Sequence, residues 1–411
     1  MKRLFLLLLL FAQTGFAQKN AVPTIDVRPV KVKDLLWDLK ALSKPPELIW
    51  VNQQEKVHTL LYRSVDYEGK PTQVFAYYTN PDLLMGIKNS KRKFSGVVLL
   101  HGGGGKAFKE WAEKWAADGY AAIAMDLSGN GEDGKKLAQA GADQADDNKF
   151  QKIEKGNLKD VWTYHAVASA ILAHSLLLNL PEVDATKTSV TGISWGGYLT
   201  CIVASLDNRF KAAAPVYGCG FYDESDIFKD PVNKLSPENK QKWMKYFDPS
   251  SYLPFAKPQF LFVNGNTDLF YNVVPYHKTY RLVDKALRTI CIKPDMLHSH
   301  EHGWQPAEIR YFFENVVNQG APLIKIISVN DQGSEIKLTY QSPVTLSQAE
   351  FYYTSDLTSI NAKRKWDIKK AVVDPDKKTI TITKPQEGFK YAFFYLKDHR
   401  NISVSSEFIL N

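Results

Sequence analysis

Residues 187–197 read Lys187-Thr188-Ser189-Val190-Thr191-Gly192-Ile193-Ser194-Trp195-Gly196-Gly197. Thr188, Val190 and the residues between them favour a short strand. Gly197 to Leu206 can continue as a helix behind it. Gly192 to Gly196 fits G-x-S-x-G, the pattern of a serine on a sharp strand-to-helix turn. Such a serine has a strained backbone, and small neighbours let the chain pass closely on both sides. The following helix points its positive end at Ser194, where negative charge develops during acyl transfer. Five residues alone also fit an ordinary Gly-rich turn. The rest of the chain has to supply a base, an acid and oxyanion donors.

Working outward, the elements on either side alternate. Glu55–Tyr67 and Lys70–Thr79 read as a hairpin turning near Glu68-Gly69. Phe94–Leu100 is an apolar strand, 108–118 has helical spacing, and Tyr120–Met125 is a second apolar strand. Ser128–Lys152 is a polar, Gly-rich loop, and 158–180 is strongly helical. Strands follow at 211–217, 258–264 and 288–293, with helices at 273–284 and 306–317. Apolar strands alternating with amphipathic helices predict an α/β fold: a mostly parallel central sheet covered on both faces. Residues 218–257 are irregular and aromatic and read as a cap over one end of the sheet.

The pattern changes at both ends. Lys2 and Arg3 precede the apolar run Leu4–Ala12, with small residues at Gly15-Phe16-Ala17. This reads as a signal peptide over 1–17, too short to span a bilayer, which predicts a secreted or periplasmic protein without membrane insertion. Residues 18–54, with four prolines and a short helical pattern near 33–42, read as an N-terminal arm. The body then covers 55–320. From 321 to 411 short alternating strands predict an all-β sandwich of immunoglobulin or fibronectin type.

The formal charge is +8, and loss of Lys2 and Arg3 lowers it by two. Basic residues are interleaved with acids, which argues against a nucleic-acid partner. Cys201, Cys219 and Cys291 form no C-x-x-C pair and read as buried free thiols.

Three stretches carry the remaining chemistry. His101-Gly102-Gly103-Gly104-Gly105 follows a strand and precedes a helix. Its amides can approach a carbonyl oxygen closely, so Gly103 and Gly104, with the amide of Trp195, are the expected oxyanion donors. A phosphate loop is disfavoured because Lys106 is followed by Ala107 and Phe108 rather than Ser or Thr. Asp268 lies at the end of a strand, where an acid can orient a histidine. Asp126, also after a strand, fits a loop-shaping role better. His298-Ser299-His300-Glu301-His302 follows the last strand, at the carboxyl edge where such sheets build their sites. One histidine there is the base; His-x-His-x-His with Glu301 also offers metal ligands. The order Ser194, Asp268, His298 is that of an α/β-hydrolase.

On Val97–Gly105, Gly192–Gly197, Phe262–Phe270 and Arg288–Trp304, residues 55–320 resemble the α/β-hydrolase superfamily, in its acetylxylan esterase and dienelactone hydrolase branch. The resemblance implies that the catalytic histidine is the one in Met-x-His-x ahead of Gly-Trp, here His298 before Gly303-Trp304. His300 and His302 then become neighbours, with His300 a candidate to line the pocket. It further implies a serine carboxylic-ester hydrolase, needing no metal or organic cofactor, whose substrate is an acylated carbohydrate or another small ester. Trp243 and Tyr252 in the cap are candidates to stack on sugar faces, or equally to pack the cap. Two other readings stay open: an oligopeptidase-like or lactone hydrolase, and an inactive carbohydrate-binding protein.

Overall fold

In the computed structural model, residues 35–88 and 90–411 are described. The segment 1–17, read as a signal peptide, and residues 18–34 of the predicted arm lie outside them. A nine-stranded sheet runs in the order β1-β2-β3-β5-β4-β6-β7-β8-β9. Its strands are β1 Leu48–Asn52, β2 His58–Tyr67, β3 Lys70–Thr79, β4 Phe94–Leu100, β5 Tyr120–Met125, β6 Val183–Ile193, β7 Ala212–Val216, β8 Gln259–Gly265 and β9 Arg288–Lys293. From β5 through β9 every neighbouring pair is parallel, while β1, β2 and β3 join antiparallel at one edge. The hairpin is present, but Leu48–Asn52, expected in the arm, pairs with β2 and belongs to the sheet. Its alternating half-buried pattern is short and directly follows Pro45-Pro46, which hid it.

Helices Trp162–Asn179 and Trp195–Leu206 pack together on one face of the sheet. Helices Lys109–Ala117 and Ala307–Asn318 cover the other, where the rings of Trp115 and Phe313 meet at 5.3 Å. The helix Trp162–Asn179 is buried on every side from Trp162 to Leu178. A helix apolar all round needs a cover on its outer face, and the start of the described chain supplies it. Trp37 donates its indole N–H to the Tyr164 carbonyl at 2.9 Å, and the Ser175 hydroxyl donates to the Leu42 carbonyl at 2.6 Å. Of the expected helix, Leu39–Leu42 forms among the described residues, one turn started by Asp38.

The elbow is held by contacts that exclude side chains. Ser194 has φ 58° and ψ −114°, and its N–H donates to the Val216 carbonyl at 2.8 Å. A Cβ on Gly196 would stand 2.0 Å from the Leu100 carbonyl oxygen, and one on Gly192 2.2 Å from that of Gly196. The turn is therefore pressed between β4, β7 and its own helix.

From Lys325 on, the chain forms two facing antiparallel sheets. One is β10 Lys325–Gln332, β11 Glu335–Gln341, β15 Thr379–Thr383 and β14 Val372–Asp374. The other is β13 Asp367–Lys370, β12 Leu346–Thr354, β16 Tyr391–Asp398 and β17 Ser403–Ser405, with β18 Ile409–Leu410 also on β16. β13 and β14 lie in a lysine-rich stretch that carried no strand signal. This module docks along β9, the last strand of the large sheet. The Ser405 hydroxyl accepts the Ile292 N–H at 2.8 Å, and Glu308, on helix Ala307–Asn318, accepts from Lys293 at 2.7 Å and from the Ser403 N–H at 3.0 Å. Cys201, Cys219 and Cys291 are free and buried. No helix among the described residues is long and apolar enough to cross a membrane.

Candidate active site

Five strand ends meet at the carboxyl edge of the parallel sheet. β4 delivers His101–Gly105, β6 Ser194, β7 Tyr217, β8 Asp268 and β9 His298. His298 Nε2 lies 2.9 Å from Ser194 Oγ, and its Nδ1 lies 2.7 Å from Asp268 Oδ2. A carboxylate only accepts, so Nδ1 carries the proton and Nε2 is free to accept from the serine hydroxyl. Asp268 is 1% exposed, and its other oxygen accepts the Phe270 and Tyr271 N–H groups at 2.9 and 2.8 Å. That turn fixes the carboxylate before the imidazole reaches it. Three sequence-distant groups thus form one line from acid to nucleophile.

The glycine loop is clamped by two histidines. His101 Nε2 accepts the Leu127 N–H at 2.8 Å, so its Nδ1 donates to the Gly102 carbonyl at 2.8 Å. His300 Nε2 accepts the Gly102 N–H at 3.0 Å. Burial lowers both imidazoles to about 4, which keeps them neutral and able to play these parts. The next amide, on Gly103, has no hydrogen-bond partner among the described residues. A Cβ on Gly103 would meet Trp195 Cδ1 at 2.9 Å, so this loop lies directly on the residue after the serine. The Trp195 N–H opens a helix and has no intrahelical acceptor. Gly103 and Trp195 thus carry two amides without partners among the described residues in segments that flank Ser194, where a Cβ on Gly102 would stand 3.1 Å from Ser194 Cβ. Gly104 has φ 66° and serves to turn the loop.

Of the two uses open to the cap aromatics, the structure shows packing. Trp243 and Tyr252 are both fully buried. Trp243 donates its N–H to the Lys149 carbonyl at 2.9 Å and stacks on Phe150, and the Tyr252 hydroxyl donates to the Tyr246 carbonyl at 2.8 Å. Neither has a face left for a sugar, so packing is their role. An aromatic-rich cap cannot be divided into packing and binding residues from composition, because both uses favour the same side chains.

The rings that do border His298 are Tyr217, Phe270 and Tyr271, with centroids 4.3, 4.7 and 6.0 Å from its own. The Tyr217 hydroxyl also donates to the Leu297 carbonyl at 2.6 Å and braces the histidine loop. Their signal was only position, directly after β7 and directly after Asp268. Leu269 and Leu297, 42% and 64% exposed, give the rim an apolar character. The long loop 128–152 reaches the site from the other side. Lys149 is buried with its ammonium 4.5 Å over the Trp195 ring, and Phe150 contacts the same ring. The histidine cluster divides its labour. His298 faces the serine, His300 the glycine loop, and His302 Nδ1 meets the Ser299 hydroxyl at 2.8 Å. Their nitrogens diverge, and among the described residues no group of three or more His, Cys, Asp or Glu could hold a metal ion.

A profile of the acetyl xylan esterase (AXE1) family matches residues 39–249, just over half of the chain. The chain belongs to the acetyl xylan esterase family. It is accordingly a carboxylic-ester hydrolase of the α/β-hydrolase superfamily. Two solved structures share the esterase fold. The acetyl xylan esterase from Paenibacillus sp. R4 is 21% identical with a TM-score of 0.55, over 71% of this chain and 97% of that one. Acetyl xylan esterase 1 from Thermoanaerobacterium sp. JW/SL YS485 is 17% identical with a TM-score of 0.52, over 66% and 89%. Among curated proteins there is no significant sequence match. This esterase extends beyond its solved relatives, each of which it covers almost completely while part of its own length is left over.

Proposed function

We propose that the protein is an exported serine esterase that removes acetyl groups from carbohydrate, such as acetylated xylan or its oligosaccharides. The observation that carries this reading is the hydrogen-bonded line Ser194–His298–Asp268 beside the free Gly103 amide. Family membership supports the acetyl group and the sugar. The cationic and apolar segment 1–17 supports export.

In the proposed mechanism Ser194 Oγ attacks the acetyl carbonyl carbon as His298 Nε2 takes its proton. The carbonyl electrons move to oxygen, where the Gly103 and Trp195 amides receive the negative charge. The resulting imidazolium is stabilised by Asp268. When the tetrahedral species collapses, the sugar oxygen leaves with the proton from His298, and acetyl stays on Ser194. A water deprotonated by His298 attacks the acyl-enzyme by the same route and releases acetate. Lys149 and Phe150 against Trp195 make the 128–152 loop the natural selector of the leaving group.

The test is a panel of acetylated xylo-oligosaccharides, lactones and aminoacyl esters assayed with wild type and Ser194→Ala. Acetate release that disappears in the variant, by about four or more orders of magnitude in kcat, supports the reading. Turnover retained by Ser194→Ala refutes the serine mechanism. Turnover confined to aminoacyl substrates refutes the carbohydrate assignment. Finding residues 1–17 retained on protein that stays in the cytoplasm refutes the export.

A further inference from the structure

We propose that Asn361, in the C-terminal β module, is a positioning residue of the esterase site, holding the loop that carries Asp268. This rests on the serine-esterase reading above and assigns the module a part in it.

The loop Asn266–Asp268 leaves β8 and turns back towards β9. It is buried, with Asn266 and Asp268 each 1% exposed, so its carbonyls need donors from protein. Both donors come from one side chain nearly a hundred residues away. Asn361 Nδ2 donates to the Asp268 carbonyl at 2.9 Å and to the Asn266 carbonyl at 3.3 Å. The amide end that faces the loop is fixed by Arg364, whose Nη1 lies 2.6 Å from Asn361 Oδ1. A guanidinium only donates, so the atom facing it is oxygen and the atom facing the loop is nitrogen.

The platform behind Asn361 is firm. Arg364 also donates to the carbonyls of Asp356 and Ser359 at 2.8 and 3.1 Å, and its guanidinium lies 5.1 Å over the Tyr391 ring. Asp356 accepts the Thr358 and Ser359 N–H groups at 2.9 Å. The connection between β12 and β13 is thereby folded into a rigid tip with Asn361 at its end. Asp268 is then gripped twice. The hydrolase domain holds its carboxylate through the Phe270 and Tyr271 amides, and the module holds its main chain. The carboxylate's aim at His298 depends on both.

Without the Asn361 donor, two buried carbonyls lose their shared partner and the loop relaxes to find others. A displacement of about 1 Å at a catalytic group costs on the order of a hundredfold. The ester itself lies on the serine side of His298, so binding is spared while the chemical step is not.

The experiment uses the full-length protein with p-nitrophenyl acetate. The variants are Asn361→Ala, Asn361→Asp, Asp268→Asn, the double variant Asn361→Ala/Asp268→Asn, and Ser194→Ala. Asn361→Asp keeps the shape but turns an acceptor towards both carbonyls, and it carries the test if the alanine variant does not fold. The expected result is a roughly tenfold to hundredfold loss of kcat in each Asn361 variant, with KM within about twofold. In the Asp268→Asn background the same substitution is expected to change kcat by less than about twofold, because the acid it positions is gone. Asn361 variants within about twofold of wild-type kcat, beside an inactive Ser194→Ala, overturn the inference and leave the esterase reading standing. An equal loss with and without the Asp268 carboxylate also overturns it and reduces Asn361 to packing. Turnover in Ser194→Ala is the separate outcome that removes the serine reading itself.

Discussion

His300→Ala separates the three clustered histidines most sharply. In the wild type, His300 Nε2 accepts the Gly102 N–H at 3.0 Å and its ring packs 4.9 Å from that of Phe108. Truncation leaves a partly buried amide donor unpaired, a cost of about 1–3 kcal/mol. If all of this appears as misplacement of the Gly103 amide in the transition state, kcat/KM falls roughly fivefold to 150-fold. Loss of the base is a different scale. In the proposed mechanism His298→Ala removes the proton acceptor of both half-reactions, and removal of a triad member costs on the order of 10⁴-fold or more. His300→Gln can place an amide oxygen near the vacated Nε2 and is expected to recover most of the loss. The assay is initial-rate hydrolysis of p-nitrophenyl acetate, with melting curves to confirm that each variant is folded. A His300→Ala enzyme as inactive as His298→Ala would mean that the base is misassigned. One indistinguishable from wild type would mean that the Gly102 clamp does not position the oxyanion donors.

Two further outcomes follow from burial. His165, His277 and His300 are all lowered to about 4, chiefly by desolvation, against about 6.5 in an unfolded chain. Between these values the unfolded chain binds protons that the native state excludes. Their contribution to stability is therefore complete above about pH 6.5 and is lost as the pH falls towards 4. Melting temperature should drop steeply from pH 6.5 to 4.5, and a flat profile there contradicts these assignments. Gly196→Ala would place a Cβ 2.0 Å from the Leu100 carbonyl oxygen, a backbone atom between two strands that cannot give way. It should cost more than about 4 kcal/mol or prevent folding, and a soluble variant melting like wild type would refute the close-packed elbow.

The architecture was legible where local rules and tertiary demands agree. Apolar strands between amphipathic helices defined the sheet, and Gly192-x-Ser194-x-Gly196 marked its sharpest turn because only glycines fit there. Ser194, Asp268 and His298 could be ordered along the chain because each follows a strand and all carboxyl ends share one edge. The Gly102–His300 bond was out of reach, since it joins residues 198 apart through a backbone donor that every residue possesses. Trp243 and Tyr252 were aromatic, and nothing in an aromatic side chain says whether it faces solvent or core. Asn361 gave no signal at all. An asparagine in a polar loop is ordinary, and its meaning lies in which carbonyls the fold sets against it.

The docking of the module on β9 has a consequence for the order in which the enzyme is assembled. Asn361 meets the Asp268 loop across 93 residues, and Ser405 meets Ile292 across 113. Ser194, Asp268 and His298 are all synthesised before either contact can exist. A growing chain carries every reacting group yet lacks the bracket on its acid and exposes the rim of β9 as an open pairing edge. Contacts of such long separation form late. Once the module is in place, Asn361 reaches the Asp268 loop and the strand Ser403–Ser405 covers the β9 edge against strands of other molecules.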